Sequence, residues 1–144
     1  MVTAHSPAAE LARRSVRLLT ANDFAAWVDL WADDGVLEFP FAPAGWPRRL
    51  EGRAAIADYM SGYGDHIEIQ DIPRLEIHRT TDPATAVVEM HSTGRLVRTG
   101  APFEADYIMV LAVAGGRIAH ARDYWNPLML SSDGGAADFL QGSR

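Results

Sequence analysis

The first third of the chain has apolar residues at helical spacing. Residues 7–20 place leucines at helical intervals with arginines on the opposite side, which predicts a first helix. Residues 22–23 supply an Asn-Asp cap for a second helix, which is predicted to end at the Asp-Asp-Gly turn of residues 33–35. The apolar stripe of this second helix comprises Phe24, Trp27, Val28 and Trp31. A third predicted helix follows Gly52 and covers residues 53–63.

The remainder of the chain has the alternating pattern and the turn residues that are typical of β-strands. The predicted strands cover residues 36–41, 67–72, 75–79, 85–98, 103–113 and 117–126, and residues 42–49 are predicted to form a loop. Pro40 marks the first strand as an edge or bulged strand, and Gly115-Gly116 predicts a tight hairpin between the last two. The pattern indicates the α+β class, with three N-terminal helices packed on a strongly curved, mostly antiparallel sheet.

The register of the predicted hairpin determines which side chains share a face. If Ala114 lies opposite Arg117, an uninterrupted period of two gives one face with small residues and two carboxylates. This face consists of Asp106, Ile108, Val110, Ala112, Ala119, Ala121, Asp123 and Trp125. The other face is bulky and apolar, which suits packing against another sheet, from a second subunit of a homodimer. We interpret the first face as the lining of a pocket, because small side chains leave room for a ligand.

Asp106 and Asp123 would be diagonal neighbours on this face, about 7–8 Å apart at the backbone. In a poorly hydrated pocket, desolvation and mutual repulsion raise the pKa of a carboxyl group, which makes it a usable acid or base near neutral pH. Asp123 is the stronger catalytic candidate. The alternative for Asp106 is a position at the pocket mouth, in water or paired with an arginine.

Aromatic residues are the second set of pocket candidates. Tyr59 and Tyr63 share the inward side of the third predicted helix, where a phenol could donate a hydrogen bond to a substrate or simply pack in the core. A wall for a planar ligand would comprise Trp27, Trp31, Phe39, Phe41 and Trp125. Core packing accounts for Trp27 and Trp31 equally well. Trp46, in a proline-flanked loop, is a candidate lid residue.

Composition and charge exclude several classes of function and location. The 144 residues, 48% of them hydrophobic, suit one domain over residues 1–130 with a loosely held tail at residues 131–144. A net charge of -6 disfavours nucleic-acid binding. No apolar run approaches the roughly 18 residues that cross a bilayer, and residues 1–10 lack a secretion-signal pattern. We therefore expect a cytoplasmic protein without membrane contact.

Nothing in the sequence indicates a cofactor or a metal. The chain contains no cysteine, and its five histidines are not spaced as ligands of one metal ion. A phosphate-binding loop, a dinucleotide fingerprint and a nucleophile elbow are also missing from the sequence. We expect chemistry by proton transfer and positioning alone.

Several motifs resemble those of one protein family. The Gly-Gly-Arg-Ile motif at residues 115–118 is followed at residues 122–127 by Arg-Asp-Tyr-Trp-Asn-Pro, as at the end of the phenazine-biosynthesis A/B proteins. Residues 31–40 and 51–56 extend the similarity, which spans about residues 11–130. These proteins belong to the SnoaL-like branch of the nuclear transport factor 2 and ketosteroid isomerase superfamily. The resemblance implies a cone-shaped α+β barrel with an enclosed apolar pocket.

The resemblance also implies roles for individual residues. The acid/base glutamate of the phenazine proteins corresponds to Asp123, and their pocket histidine on the third helix corresponds to Tyr59. The catalytic aspartate of the SnoaL-type polyketide cyclases corresponds to Asn126, about one side-chain repeat from Asp123. The resemblance argues against steroid isomerisation, because three other residues replace the polar groups of the ketosteroid isomerases. These replacements are Phe39, Ser15 and Ile108.

Together these observations predict a cofactor-independent acid/base enzyme of secondary metabolism. It would be a cyclase, isomerase, condensing enzyme or dehydratase that acts on a polyketide-like or aromatic intermediate. Asp123 would move the proton, with Tyr59 as a hydrogen-bonding partner and Asp106 as a second carboxylate. The predicted substrate-binding residues are Trp27, Trp31, Phe39, Phe41, Trp46, Tyr63, Ile108, Val110, Ala121, Trp125 and Asn126. Two alternatives stay open: a protein that sequesters a natural product, and a structural partner with a filled interior.

Overall fold

The computed structural model describes residues 6–130, and of residues 129 and 130 only the backbone. The elements in chain order are α1 (Pro7–Thr20), α2 (Phe24–Val28), β1 (Trp31–Glu38), β2 (Arg49–Glu51), α3 (Arg53–His66), β3 (Ile67–Arg79), β4 (Thr85–Leu96), β5 (Pro102–Ala114), β6 (Arg117–Trp125) and a 3-10 turn (Pro127–Leu130). Among these residues, no helix combines the length and the apolar character that spanning a membrane requires. The predicted tail at residues 131–144 lies outside the described residues, so the division of the chain into domain and tail stays a prediction.

The strands form one six-stranded sheet in the order β2-β1-β6-β5-β4-β3. β1 and β6 run parallel, and every other neighbouring pair runs antiparallel. α1 packs on β3, β4 and β5, and α3 packs on β1. Buried residues alternate along β4, as expected for a sheet with one face under helices. The α+β class that the sequence predicts is confirmed, whereas the cone shape stays a prediction.

Local capping signals begin the first two helices where the sequence predicts them. The Ser6 side chain accepts a hydrogen bond from the backbone N–H of Ala9 at 3.1 Å, and Asp23 caps α2 in the same way. Asn22, between the helices, has a left-handed backbone with φ of 57°. Its side-chain amide makes two hydrogen bonds with the backbone of Ile69 on β3. These hydrogen bonds fix the turn between α1 and α2 to β3 of the sheet.

The second helix is shorter than predicted. α2 ends at Val28, and Trp31 already begins β1 instead of completing the helical stripe. The carbonyl of Leu30 accepts a hydrogen bond from the backbone N–H of Ile118 on β6 at 2.9 Å. The chain leaves the helix because its backbone pairs with a strand almost ninety residues later. Helical spacing of apolar residues does not reveal such a partner.

Two strands also differ from the prediction. β2 lies at the end of a predicted loop and pairs with the last residues of β1, so β1 is not an edge strand. Pro40 lies just beyond the end of β1. The pairing of β1 with β6 is irregular between Trp31 and Val36, as expected for a bulged strand. β3 is one strand that runs through Pro73, where the sequence predicts two strands. Its pairing with β4 is irregular between Ile69 and Arg74, which accommodates the proline.

One β-bulge determines which side chains of the last hairpin face the helices. Residues 115–116 form the predicted two-residue turn, with positive φ angles of 59° and 77°. Three residues into β6, Ala119 has no partner on β5, so that Ala112 lies opposite His120. Beyond this bulge the two strands are offset by one residue from the predicted register. A slip of one residue exchanges the faces of one strand relative to the other.

Candidate functional site

A cavity of about 490 Å³ lies between the helices and the sheet. Side chains from all three helices and from β1, β3, β4, β5 and β6 line it. The volume falls within the range of about 300–1,000 Å³ that is typical of small-molecule sites. A cavity of this size disfavours the structural-partner alternative, which requires a filled interior.

Aromatic side chains form much of the cavity wall. Trp27, Phe39, Trp46 and Trp125 all line the cavity, as the sequence predicts. Trp46 packs edge-on against Trp125 with ring centroids 5.4 Å apart, and Phe39 packs on Tyr59 at 5.2 Å. Flat apolar surfaces of this kind suit a planar ligand. Binding by these residues stays a prediction.

Asp123 on β6 provides a carboxyl group in this apolar wall. It lies opposite Met109 of β5. Its Oδ1 atom is buried and, within residues 6–130, has no hydrogen-bond partner. Burial raises the pKa of Asp123 from 3.8 to about 7, because apolar surroundings disfavour the charged form. A carboxyl group with this pKa can both take and return a proton at neutral pH.

Three tyrosines line the same cavity: Tyr59 and Tyr63 from α3, and Tyr107 from β5. Burial is the main cause that raises the pKa of each phenol, and the Asp123 carboxylate raises all three further. The pKa of Tyr63 reaches about 12. The hydroxyls of Tyr63 and Tyr107 lie 3.4 Å apart, and either can be the donor. At neutral pH these phenols stay protonated, so they act through hydrogen bonds.

Asp106 does not bring a second carboxylate into the cavity. It contributes to the cavity rim, but its side chain is 56% exposed and lies on the opposite face of the sheet. Its Oδ1 is 2.7 Å from Nδ1 of His91 on β4. The predicted repulsion between two inward carboxylates is therefore wrong, and burial alone accounts for the raised pKa of Asp123.

The predicted inward positions of Ile108 and Val110 are also wrong. Ile108 is 44% exposed, and Val110 lies opposite Arg122 on the outer face. The cause is the bulge at Ala119. Beyond the bulge, Ala121, Asp123 and Trp125 of β6 keep their predicted inward side, whereas Ile108 and Val110 of β5 turn outside.

Two predicted aromatic wall residues and one small residue lie elsewhere. Trp31 is fully buried against Trp27, with ring centroids 5.6 Å apart, and does not line the cavity. Phe41 lies on the outer face of the sheet, where it packs against Tyr124 of β6 and is 60% exposed. Ala121 faces inward but is fully packed in the core instead of bordering the cavity.

Asn126 lies at the end of β6 and lines the cavity, as predicted. Its backbone N–H donates to the carbonyl of Asp106 at 3.2 Å. Its side-chain oxygen accepts a hydrogen bond from the backbone N–H of Leu128 at 3.0 Å. These two hydrogen bonds stabilise the start of the 3-10 turn.

Comparison with known proteins identifies the family. A model of the SnoaL-like domain matches residues 12–121. The chain belongs to the SnoaL-like domain family. This SnoaL-like chain is 37% identical over 134 residues to the uncharacterized protein YesE of Bacillus subtilis, covering 93% of this chain and 90% of that protein. It is 39% identical over 140 residues to the uncharacterized PhzA/B-like protein PA3332 of Pseudomonas aeruginosa, covering 94% and 99%.

A solved structure supports the same assignment. The crystal structure of a candidate isomerase from Bacillus subtilis superposes with a TM-score of 0.80 at 37% identity. The superposition covers 86% of the SnoaL-like chain and 89% of the isomerase candidate. The resemblance that the sequence motifs indicate, within the nuclear transport factor 2-like superfamily, is therefore confirmed.

Tyr107, Met109 and Ser92 are among the cavity-lining residues that sequence reasoning missed. Tyr107 and Met109 belong to the bulky face that was predicted to meet a second subunit, and the bulge turns them inward. Ser92 on β4 is fully buried, and within the described chain its Oγ makes no hydrogen bond. The regular apolar alternation along residues 86–92 is the signal that marks Ser92 as inward.

The described group best suited to a metal ion lies outside the cavity. Glu76 and His78 on β3 and Glu89 on β4 place ligand atoms within 4.8 Å of one another. Nε2 of His78 is 2.7 Å from Oε1 of Glu89, so these two groups already pair. Exposed groups of this kind carry no argument for a metal, and the expectation of a site without cofactor or metal stays a prediction.

Proposed function

We propose that the SnoaL-like chain is a cofactor-independent acid/base enzyme of secondary metabolism, of isomerase or cyclase type. Its substrate would be a polyketide-like or aromatic intermediate held in the cavity. In this proposal the helices and the sheet form the cone that is typical of the superfamily. Two relatives support the general type, since one is a candidate isomerase and the other is named PhzA/B-like.

The observation that carries the proposal is the environment of Asp123. The carboxyl lies in a cavity wall made largely of tryptophan, methionine and tyrosine side chains, and burial raises its pKa to about 7. A buried carboxyl without full hydrogen bonding destabilises the fold when it ionises. Such a group is a good general base, because its ionised form gains free energy by taking a proton.

Neighbouring side chains would assist the proton transfer. Tyr59 lies near enough to Asp123 for the carboxylate to raise its pKa, and its phenol can donate a hydrogen bond to a substrate oxygen. Phe39 packs on the Tyr59 ring. Trp46, on the loop after β1, would cover the substrate together with Trp125 and exclude water.

The test uses 5-nitrobenzisoxazole, an uncharged two-ring compound with one acidic C–H group. A base takes this proton, the C–N bond becomes a nitrile and the N–O bond breaks, releasing a coloured phenolate. We expect Asp123→Asn to lower the rate at least tenfold. Asp106→Asn is the matched control and should leave the rate unchanged, because that carboxylate is exposed at the cavity rim and paired with His91. The wild-type rate should rise with pH through about 7, as Asp123 ionises.

Two outcomes would contradict the proposal. Equal rates for wild type and Asp123→Asn would remove Asp123 from the mechanism. Tight binding of the probe with no turnover in the wild type would favour the sequestration alternative, in which the cavity only holds a natural product.

We further propose that the SnoaL-like chain forms a homodimer through the outer face of the sheet. This face exposes Ile108 and Phe41, and Phe41 packs against Tyr124, so part of the face is apolar. Ile108→Glu should convert the dimer to a monomer in light scattering coupled to size-exclusion chromatography. Val97→Glu, at a residue with similar exposure outside the strands, is the control. A wild-type monomer would contradict this proposal.

A further inference from the structure

We infer that Tyr107, with Tyr63 and Ser92 behind it, binds a carbonyl oxygen of an uncharged ligand. The inference rests on the proposed function, because it concerns the same cavity. It goes further by naming the group that the ligand presents and the charge that the site rejects.

The register of the sheet places Tyr107 in the middle of a short polar row. Met109 is opposite Asp123, so Tyr107 is the diagonal neighbour of Asp123 on the inward face, about 7–8 Å away at the backbone. Ala105 is opposite Ser92, so Tyr107 is also the diagonal neighbour of Ser92 on its other side. The row therefore runs from carboxyl to phenol to hydroxyl across an apolar wall.

In one of its two directions, the hydrogen bond between Tyr63 and Tyr107 leaves Tyr107 with a proton to donate. Each phenol has one O–H, and the Tyr63 and Tyr107 hydroxyls share one hydrogen bond. When Tyr63 is the donor, the O–H of Tyr107 points elsewhere. Ser92 is near enough to lower the pKa of Tyr107, yet its Oγ makes no hydrogen bond within the described residues. A ligand oxygen at the cavity surface of Tyr107 would accept this proton, with Ser92 acting as a positioning residue.

The charges around the cavity exclude an anionic ligand. Among the described residues that line it, none is a lysine or an arginine. A carboxylate or phosphate would be desolvated without a counter-ion and would face Asp123. The three phenols stay neutral because burial raises their pKa values. The site therefore suits a neutral acceptor such as a ketone.

The volume of the cavity limits the size of this ligand. It is about 490 Å³, roughly three times the cavity of about 150 Å³ that holds one benzene molecule. Two or three fused rings fit this space. The geometry thus points to an uncharged, flat ketone of two or three rings.

Three probes of one shape test the inference. 2-Acetylnaphthalene carries a carbonyl, 2-isopropenylnaphthalene replaces the oxygen with a methylene, and 2-naphthoate is an anion. Their binding is measured by quenching of the fluorescence of the tryptophans that line the cavity. We expect the wild type to bind the ketone about tenfold more tightly than the alkene, the effect of one buried hydrogen bond. The naphthoate should bind at least tenfold more weakly than the ketone.

Variants assign this preference to Tyr107. Tyr107→Phe and the double variant Tyr63→Phe/Tyr107→Phe should bind the two uncharged probes equally, with alkene affinity unchanged. Ser92→Ala should lower the preference only in part. Tyr124→Phe is the matched control on the outer face and should keep the full preference. The ratio of the two affinities is the readout, since general damage to the cavity would weaken both probes alike.

Each contrary result has a distinct meaning. A full preference for the ketone in both Tyr107 variants, or equal binding of the two probes by the wild type, overturns the inference and leaves the role of Asp123 standing. Tight binding of 2-naphthoate overturns the charge argument and with it the inference. Failure of all three probes to bind overturns both the inference and the proposed function.

Discussion

The inner and outer faces of the β5–β6 hairpin each carry an aspartate, and the two have opposite surroundings. Asp123 on the inner face lies among apolar and aromatic side chains, with an unpaired Oδ1 within the described residues and a pKa of about 7. Asp106 on the outer face is 56% exposed and pairs with His91 at 2.7 Å. The residue type is the same, so the difference in chemistry comes from the face of the sheet.

Other outer-face carboxylates follow Asp106 in pairing. Glu38 lies 2.5 Å from Nε2 of His120, and this hydrogen bond is the main cause that lowers the pKa of Glu38. Glu89 pairs with His78 in the same way at 2.7 Å. On the outer face these carboxylates are paired, whereas on the inner face burial raises the pKa of Asp123 to about 7. The inner arrangement gives a buried acid/base group at neutral pH.

The largest expected effect comes from removing one alanine of β6. Deleting Ala121 moves Arg122 and Tyr124 inward and Asp123 outward, and we expect a protein that does not fold cooperatively. Deleting Ala119 removes the unpaired bulge residue and preserves the pairing on both sides, so we expect a loss of about 1–2 kcal/mol. Circular dichroism and urea unfolding measure both. Equal losses for the two deletions would show that the bulge does not set the faces.

A carboxylate placed on either face of β5 tests the same comparison. Met109→Asp puts a second carboxyl opposite Asp123, and we expect it to lower the free energy of unfolding by about 3–4 kcal/mol at neutral pH. Ile108→Asp, one residue away on the exposed face, should lower the free energy of unfolding of the monomeric subunit by less than about 1 kcal/mol. Urea unfolding gives both values. A reversed order would contradict the register.

Replacing Asp123 by Asn should stabilise the protein at high pH only. The folded-state pKa is raised from 3.8 to about 7, so the contribution of Asp123 to wild-type stability is greatest below pH 3.8 and falls as pH rises to about 7. At about 1.4 kcal/mol per pKa unit, the difference between Asp123→Asn and wild type reaches at most about 4 kcal/mol above pH 7. It should vanish near pH 4.

Urea unfolding of both proteins across this pH range measures the difference. Carbon NMR of the Asp123 carboxyl provides an independent midpoint, expected near 7. A midpoint near 4 would mean that water reaches the Asp123 carboxyl. Its surroundings would then not differ from those of an exposed carboxylate such as Asp106.

The smallest expected effect belongs to Asp106. Asp106→Asn should cost less than about 1 kcal/mol, because an exposed pair with His91 contributes little. A double-mutant cycle with His91→Gln isolates the pair. A coupling above about 2 kcal/mol would show that the outer face depends on this pair more than its exposure indicates.

Local signals in the sequence determined several features of this protein. A serine and an aspartate accept backbone hydrogen bonds at the starts of α1 and α2, and two glycines make the tight turn at residues 115–116. The same local alternation placed Ala121, Asp123 and Trp125 on one face of β6. Each of these features depends on residues within a few positions of one another, so one stretch of sequence contains the whole cause.

Only the tertiary structure decided the features that depend on distant pairing. α2 ends early because Leu30 pairs with Ile118, and the inner face of β5 follows from an extra residue at Ala119. Nothing distinguishes Ala119 from Ala121 in the sequence itself, since both are small residues in an alternating strand. Which of them bulges depends on the strands β1 and β5 that pair with β6 on either side. The bulge therefore sets the lining of the cavity, because Tyr107 and Met109 form its wall, Ile108 lies outside and Asp106 reaches only the rim.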